Sequence, residues 1–278
     1  MALSPTCKEP PNERLIKSKA RVRDLAEVYT AEREVKAMLD LIPGFSLKQT
    51  FLEPACGNGN FLIEILRRKL LVDPVTRPYF SHCLDTSKTT KPAAYPRGGK
   101  AEEVVLKAIQ AVATLYGFDI CPTNVAETRA RLYAYILYGD DLLLPAFLTG
   151  GDIHTQFYLE AVTLRGELEI ADDYEDRLYL FAEKMARVHK TQDRPASISP
   201  LLRTVLTRVL SKNFQQGDFL AQVDAAGQDL TVGEWTFLNG KVRRDDFLLK
   251  DVGKDNAQPV AVLKIQSLTE FSKGASHA

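Results

Sequence analysis

The stretch Thr50-Phe51-Leu52-Glu53-Pro54-Ala55-Cys56-Gly57-Asn58-Gly59-Asn60-Phe61-Leu62-Ile63-Glu64-Ile65-Leu66 runs from a short apolar strand, through an acid and two glycines, into a helical pattern. Gly57 and Gly59 allow a turn and a close ligand approach that a side chain would block. Asn58 and Asn60 suit the turn, and Phe61, Leu62, Ile65 and Leu66 recur at the spacing of a helix packed on a sheet. A strand, loop and helix of this kind opens a doubly wound α/β fold, in which ligands lie beyond the carboxyl ends of the strands. The three-glycine spacing of a dinucleotide fingerprint and the lysine of a phosphate-binding P-loop are both missing.

Glu53-Pro54-Ala55-Cys56-Gly57-Asn58-Gly59 instead resembles the S-adenosylmethionine loop of amino-group (adenine N6) DNA methyltransferases, usually Asp/Glu-Pro-Ala-Cys-Gly-Ser/Asn-Gly. The resemblance implies an α/β, doubly wound, Rossmann-like methyltransferase fold with a helical insertion, and S-adenosylmethionine as cofactor. It implies cofactor contacts from Glu53, Pro54, Ala55, Cys56, Gly57, Asn58, Gly59 and Asn60. Upstream, Tyr29-Thr30 precedes an amphipathic helical pattern in which Thr30 is the expected cap and Val35, Met38, Leu39 and Ile42 the expected buried stripe. The same pair resembles the family's Phe/Tyr-Thr-Pro segment, which closes over the methionine end of the cofactor; Ala31 stands where the proline is usual.

Downstream of the loop helix, Arg67-Arg68-Lys69 is expected to end that helix with favourable positive charge. Residues 71–100, with their prolines and glycines, read as a loop or insertion. Helical periodicity over 101–116 leads to a second strand ending at Asp119, followed by a helix from Pro122 to about Leu137. Read alone, Asp119 is a helix-capping acid; behind a methyltransferase-like loop it resembles the family's ribose-binding acid, with Ile120 against the adenine ring. Residues 150–210 read as helical and inserted between strands. Asn213 to Leu220 resembles the family's third strand and turn, with Asp218 on the adenine amino group; Asp140 in Tyr138-Gly139-Asp140-Asp141 is the rival for that role.

Methylating an exocyclic amine requires acceptors for its hydrogens and a plate for the extruded base, which the family supplies through an Asn/Asp-Pro-Pro-Tyr/Phe tetrad. No such tetrad occurs here. Glu234-Trp235 supplies an acceptor and an aromatic at about the expected place and is the candidate catalytic pair, against the plainer reading of a strand with a buried tryptophan. Arg243 and Arg244 in the next segment, and the basic run from Arg14 to Arg23, are the candidate phosphate contacts or else solvated faces.

The expected organisation is a flexible tail over 1–13, one methyltransferase-like domain over 14–250 with insertions at about 71–100 and 150–210, and a C-terminal tail over 251–278. Lys and Arg balance Asp and Glu at 36 each, so a DNA partner has to be met by a local patch rather than by bulk charge. Cys7, Cys56, Cys83 and Cys121 form no CxxC pair, and the histidines are isolated. Reduced thiols in a cytoplasm, no metal site and no membrane span are therefore expected. Three functions stay open: methyl transfer to an amino group of DNA within a restriction-modification setting, a catalytically degenerate cofactor- or DNA-binding subunit beside a restriction or specificity subunit, or methyl transfer to RNA, protein or a small molecule.

Overall fold

Parallel strands separated by helices, then an antiparallel meander, make up the computed structural model, which describes residues 28–80, 99–138 and 199–273. In chain order the first part comprises α1 (Glu32–Leu39), β1 (Phe51–Glu53), α2 (Asn60–Val72), α3 (Arg77–Phe80), α4 (Gly99–Val112), β2 (Leu115–Asp119) and α5 (Pro122–Tyr138). The second comprises α6 (Pro200–Asn213), β3 (Phe214–Asp218), β4 (Val223–Asp224), β5 (Thr231–Leu238), β6 (Lys241–Leu248), a 3-10 turn (Leu249–Asp251), β7 (Ala261–Ser267) and α7 (Leu268–Lys273). One sheet has the order β1-β2-β3-β4 and the other β5-β6-β7. Strands β1, β2 and β3 are mutually parallel, with Glu53 opposite Gly117 and Asp119 opposite Gln216. The chain is thus a mixed α/β protein whose parallel strands carry their carboxyl ends, Glu53, Asp119 and Asp218, to the same side.

The helices form where their apolar faces meet this sheet. Leu62, Ile65 and Leu66 of α2 are buried with Val105, Ile109 and Val112 of α4 and Val205, Leu206 and Val209 of α6. Each such side chain contributes about 1.5–3 kcal/mol over exposure. Ser199 starts α6 by accepting the Leu202 N–H at 3.4 Å, with Pro200 in the first turn, where no N–H is needed. In β2, Gly117 lets Leu62 and Phe214 close in, since a Cβ there would lie 3.0 and 2.9 Å from them.

The two sheets are joined through a fully used buried amide. Asn213 Nδ2 donates to the carbonyls of Ala113 and Leu115, both at 3.0 Å, and its Oδ1 accepts the Trp235 indole N–H at 2.8 Å. Trp235 also stacks on Phe237 and carries the Arg244 guanidinium 5.4 Å from its ring centre. Phe118 of β2, Leu230, Val232 of β5 and Leu249 form a smaller second core.

Several local expectations change. Ala31, not Thr30, is the N-cap of α1, without a side-chain cap, and the Thr30 carbonyl is engaged by Asn60 instead. Met38 is 55% exposed, so the buried stripe of this short helix is Val35 and Leu39. Of Arg67-Arg68-Lys69 only Lys69 falls in the last turn of α2, which runs on to Val72. Arg67 and Arg68 both bind Glu64; burial alone would raise that carboxyl, but the two guanidiniums hold it below its usual range. The expected loop over 71–100 is helical at both ends, and the part between, 81–98, lies outside the described residues. The expected C-terminal tail contributes β7, paired with β6, and α7, because Leu263 and Leu268 find apolar neighbours on the main core. The tail over 1–13, the basic run from Arg14 to Arg23, Asp140 and most of the 150–210 insertion also lie outside the described residues.

Lys69 is fully buried, and its amine donates to the Gln49 carbonyl and Thr114 Oγ1 while lying 5.5 Å from the centre of the Phe51 ring. Burial pulls its pKa from 10.5 down to about 7. Between those two values the unfolded chain binds more protons than the folded one, so stability from this group rises with pH across that window and is flat below it. Thermal unfolding of wild type and Lys69→Met from pH 6 to 9.5 is expected to show a difference curve that favours wild type increasingly above about pH 7, approaching about 1.4 kcal/mol per pH unit.

Candidate functional site

Beyond the carboxyl ends of β1, β2 and β3 lies a cavity of about 460 Å³, a size that suits a small-molecule ligand. Pro54, Ala55 and Gly57 line it from the loop after β1, and Asp119, Ile120 and Cys121 from the end of β2. Asn124 lines it from α5, Gly217 to Leu220 from the end of β3, and Val28 and Tyr29 from the segment before α1. Of the residues expected to hold a cofactor, Tyr29, Pro54, Ala55, Gly57, Asp119, Ile120 and Asp218 come together on this wall.

The others support the wall from behind. Glu53 ends β1, its carboxyl raised by burial and partly offset by the Ala55 N–H. Cys56 is buried under the loop, and its thiol is pushed far up, first by burial and then by the Asp119 carboxylate, which keeps it protonated and poorly nucleophilic. Asn58 and Gly59 are buried, and Asn60 reaches back with Nδ2 to the Thr30 carbonyl at 3.0 Å.

A buried loop must find partners for its carbonyls, and here α5 supplies them. Thr128 Oγ1 donates to the Gly57 carbonyl at 3.0 Å. Arg131 donates at 2.5 Å to the Asn58 carbonyl and at 2.9 Å to Asn60 Oδ1. With Asn124 these side chains sit four and three residues apart on one buried stripe of α5. None of the three stands out by residue type; the signal is their helical spacing within a segment whose neighbours are apolar. Gly59 sits at φ +88°, in the left-handed region, and a Cβ there would stand 2.9 Å from Thr128 Oγ1, so loop and helix are fitted to one another.

Asp119 joins the two strands' ends. Its Oδ2 accepts the Gly57 N–H at 2.9 Å, and its Oδ1 accepts the Cys121 N–H at 2.8 Å and, more loosely, Asn124 Nδ2 at 3.4 Å. The capping role and the cavity-lining position therefore coexist, and a carboxylate retains room for a further donor. Asp218 accepts the Leu220 and Ala221 N–H groups with Oδ1 alone, at 2.9 and 3.0 Å, forming an exposed Asx turn at the cavity wall. Ile120 is 56% and Leu220 93% exposed, giving the mouth an apolar rim.

The catalytic expectation for Glu234 and Trp235 is corrected. Neither lines the cavity. Trp235 bonds Asn213, the residue before β3, whereas the cavity lies at Asp218; the strand between them spans roughly 15 Å. The chain turns after Asp218 and returns along β3, so β5 carries this pair away from the strands' carboxyl ends. Glu234 is exposed on the face of β5 opposite Trp235. Arg243 and Arg244 are ion-paired to Asp245 and Asp246, at 2.9 Å each. Among the described residues no cluster of His, Cys, Asp and Glu suits a metal, and no helix is long and apolar enough to cross a membrane.

Gly59→Ala is expected to cost about 2 kcal/mol or more in urea unfolding, from backbone strain plus the contact with Thr128. Thr128→Val, which strips the Gly57 carbonyl of its donor at nearly constant volume, is expected to cost about 1–3 kcal/mol, and Thr128→Ser markedly less. No protein-family model, curated protein or solved structure matches the chain.

Proposed function

We propose that this chain binds S-adenosylmethionine in the cavity and serves methyl transfer to an amino group of DNA, adenine N6 in the first instance. The observation that carries the reading is the lining. A glycine loop after one parallel strand and carboxylates at the ends of the next two, Asp119 and Asp218, surround a nucleoside-sized space. Among the described lining residues none is cationic, which disfavours phosphate-bearing nucleotides and suits a nucleoside with a positively charged tail. The parallel order β1-β2-β3 is that of half of a doubly wound, Rossmann-like sheet, whose ligands sit at these strand ends.

In this reading Asp119 accepts from the ribose hydroxyls, Asp218 from the adenine amino group, and Ile120 lies against the ring. Tyr29 and the Gly57 backbone bound the opposite wall. The cofactor, when bound, supplies an electrophilic methyl group on a sulfonium. The chain's part is to orient it and to keep phosphate-bearing competitors out.

A second reading is a catalytically degenerate cofactor-holding subunit of a restriction-modification or defence system. It is favoured over an independent enzyme by the place of the acceptor–aromatic pair, which lies away from the cavity. The internal pairing of Arg243 and Arg244 likewise weakens their use as phosphate contacts.

Calorimetry is expected to show S-adenosylmethionine binding to wild type, loss of at least about tenfold in affinity in Asp119→Ala, and no change in Glu234→Ala. ATP and NAD are expected not to bind. Absence of S-adenosylmethionine binding, or tighter binding of ATP, rejects the reading. Transfer of labelled methyl to DNA by the binding-competent protein then supports the enzyme, and binding without transfer supports the subunit.

A further inference from the structure

The amide of Asn124 stands between two parts of the cavity wall that are 90 residues apart in the chain. Its Nδ2 faces Asp119 Oδ1 at 3.4 Å, and because a carboxylate only accepts, this contact sets the amide's orientation and leaves Oδ1 to accept the Tyr29 hydroxyl at 3.2 Å. Asn124 itself is buried, and Tyr29, also buried, lays its ring against Gly57, where a Cβ would lie 3.4 Å from it. The Gly57 N–H in turn binds Asp119 Oδ2. A closed circuit results, running Tyr29, Asn124, Asp119, Gly57 and back to the tyrosine ring. Another tether of the segment, Asn60 to the Thr30 carbonyl, does not involve Asn124.

From this circuit we propose that Asn124 is a positioning residue that sets the Asp119 carboxylate for the ligand and, through the same amide, holds the 28–31 segment against the glycine loop. The ligand part of the proposal rests on the S-adenosylmethionine reading; the coupling between the two walls does not. An asparagine suits this place because it offers an acceptor to the tyrosine and a donor to the acid from one planar group on a short stem. An aspartate would keep the acceptor for Tyr29 and turn a like charge on Asp119. A leucine would remove both contacts at similar volume.

The experiment uses the full chain as wild type, Tyr29→Phe, Asn124→Leu, Asn124→Asp and the Tyr29→Phe/Asn124→Leu double variant. Hydrogen exchange at residues 29–31 is read without ligand, and S-adenosylmethionine affinity is read by calorimetry. Tyr29→Phe and Asn124→Leu are each expected to speed exchange of the segment about tenfold, and Asn124→Asp to leave it near wild type. Affinity is expected to fall about fivefold in Tyr29→Phe and about thirtyfold in both Asn124 variants, with the double variant no weaker than Asn124→Leu alone. That split, in which aspartate keeps the segment protected but loses ligand, is one that a merely space-filling asparagine does not produce.

Unchanged exchange in Tyr29→Phe and Asn124→Leu overturns the proposal, as does equal exposure of the segment in Asn124→Asp and Asn124→Leu, or additive losses of affinity in the double variant. Should Asn124→Leu fail to fold, Tyr29→Phe and Asn124→Asp still decide the outcome. If wild type binds no S-adenosylmethionine while the exchange pattern holds, the cofactor reading fails and the coupling stands.

Discussion

A carbonyl oxygen taken out of water must find a donor, and the buried turn after β1 finds its donors on a single helix. Thr128 and Arg131 take the Gly57 and Asn58 carbonyls, while Asp119 takes the Gly57 N–H from the other side. An unpaired buried group costs about 1–3 kcal/mol, so the loop's conformation is imposed by these partners rather than chosen by the loop alone. The position of α5 against α2 and the seating of Tyr29 both follow from that loop geometry.

The same constraint shapes the cavity. Its wall carries the Asp119 and Asp218 carboxylates, backbone, the Tyr29, Cys121 and Asn124 side chains and apolar groups, and the buried Cys56 thiol behind the loop is held protonated. Such a wall offers acceptors and apolar contacts to a small ligand.

The antiparallel meander follows a different logic. Its inner face is pinned to α6 and β2 by the Asn213–Trp235 bond, by the Tyr116 hydroxyl on the Gly233 carbonyl at 2.8 Å, and by the small core around Phe118. Lys212 and Arg244 close over the buried Asp246. These contacts make Trp235 a structural fastener, and they explain why a dipeptide with suitable chemistry lies at the unsuitable end of the strands.

What the sequence determined by itself was local. The alternation of apolar strand, glycine turn and helix from Thr50 to Leu66 and the acid closing the second strand at Asp119 depend on residues close in the chain, so spacing alone revealed them. The strand and turn ending at Asp218 were legible only through the resemblance of Asn213 to Leu220 to a known strand and turn. Tertiary structure decided the rest. Lys69 reads as a helix-ending charge until three-dimensional packing buries it, and the residues after 251 read as a tail until β6 offers them a ladder to complete. Thr128 and Arg131 look like ordinary polar residues of a helix until a loop some seventy residues earlier needs their donors, and Asn124 does so until Tyr29 packs beside it. Of the two readings of Glu234-Trp235, the structure agrees with the plainer one, a strand with a packed tryptophan beside an exposed acid: chemical type is written in the sequence, whereas which end of a strand a return hairpin reaches depends on contacts between elements far apart in the chain.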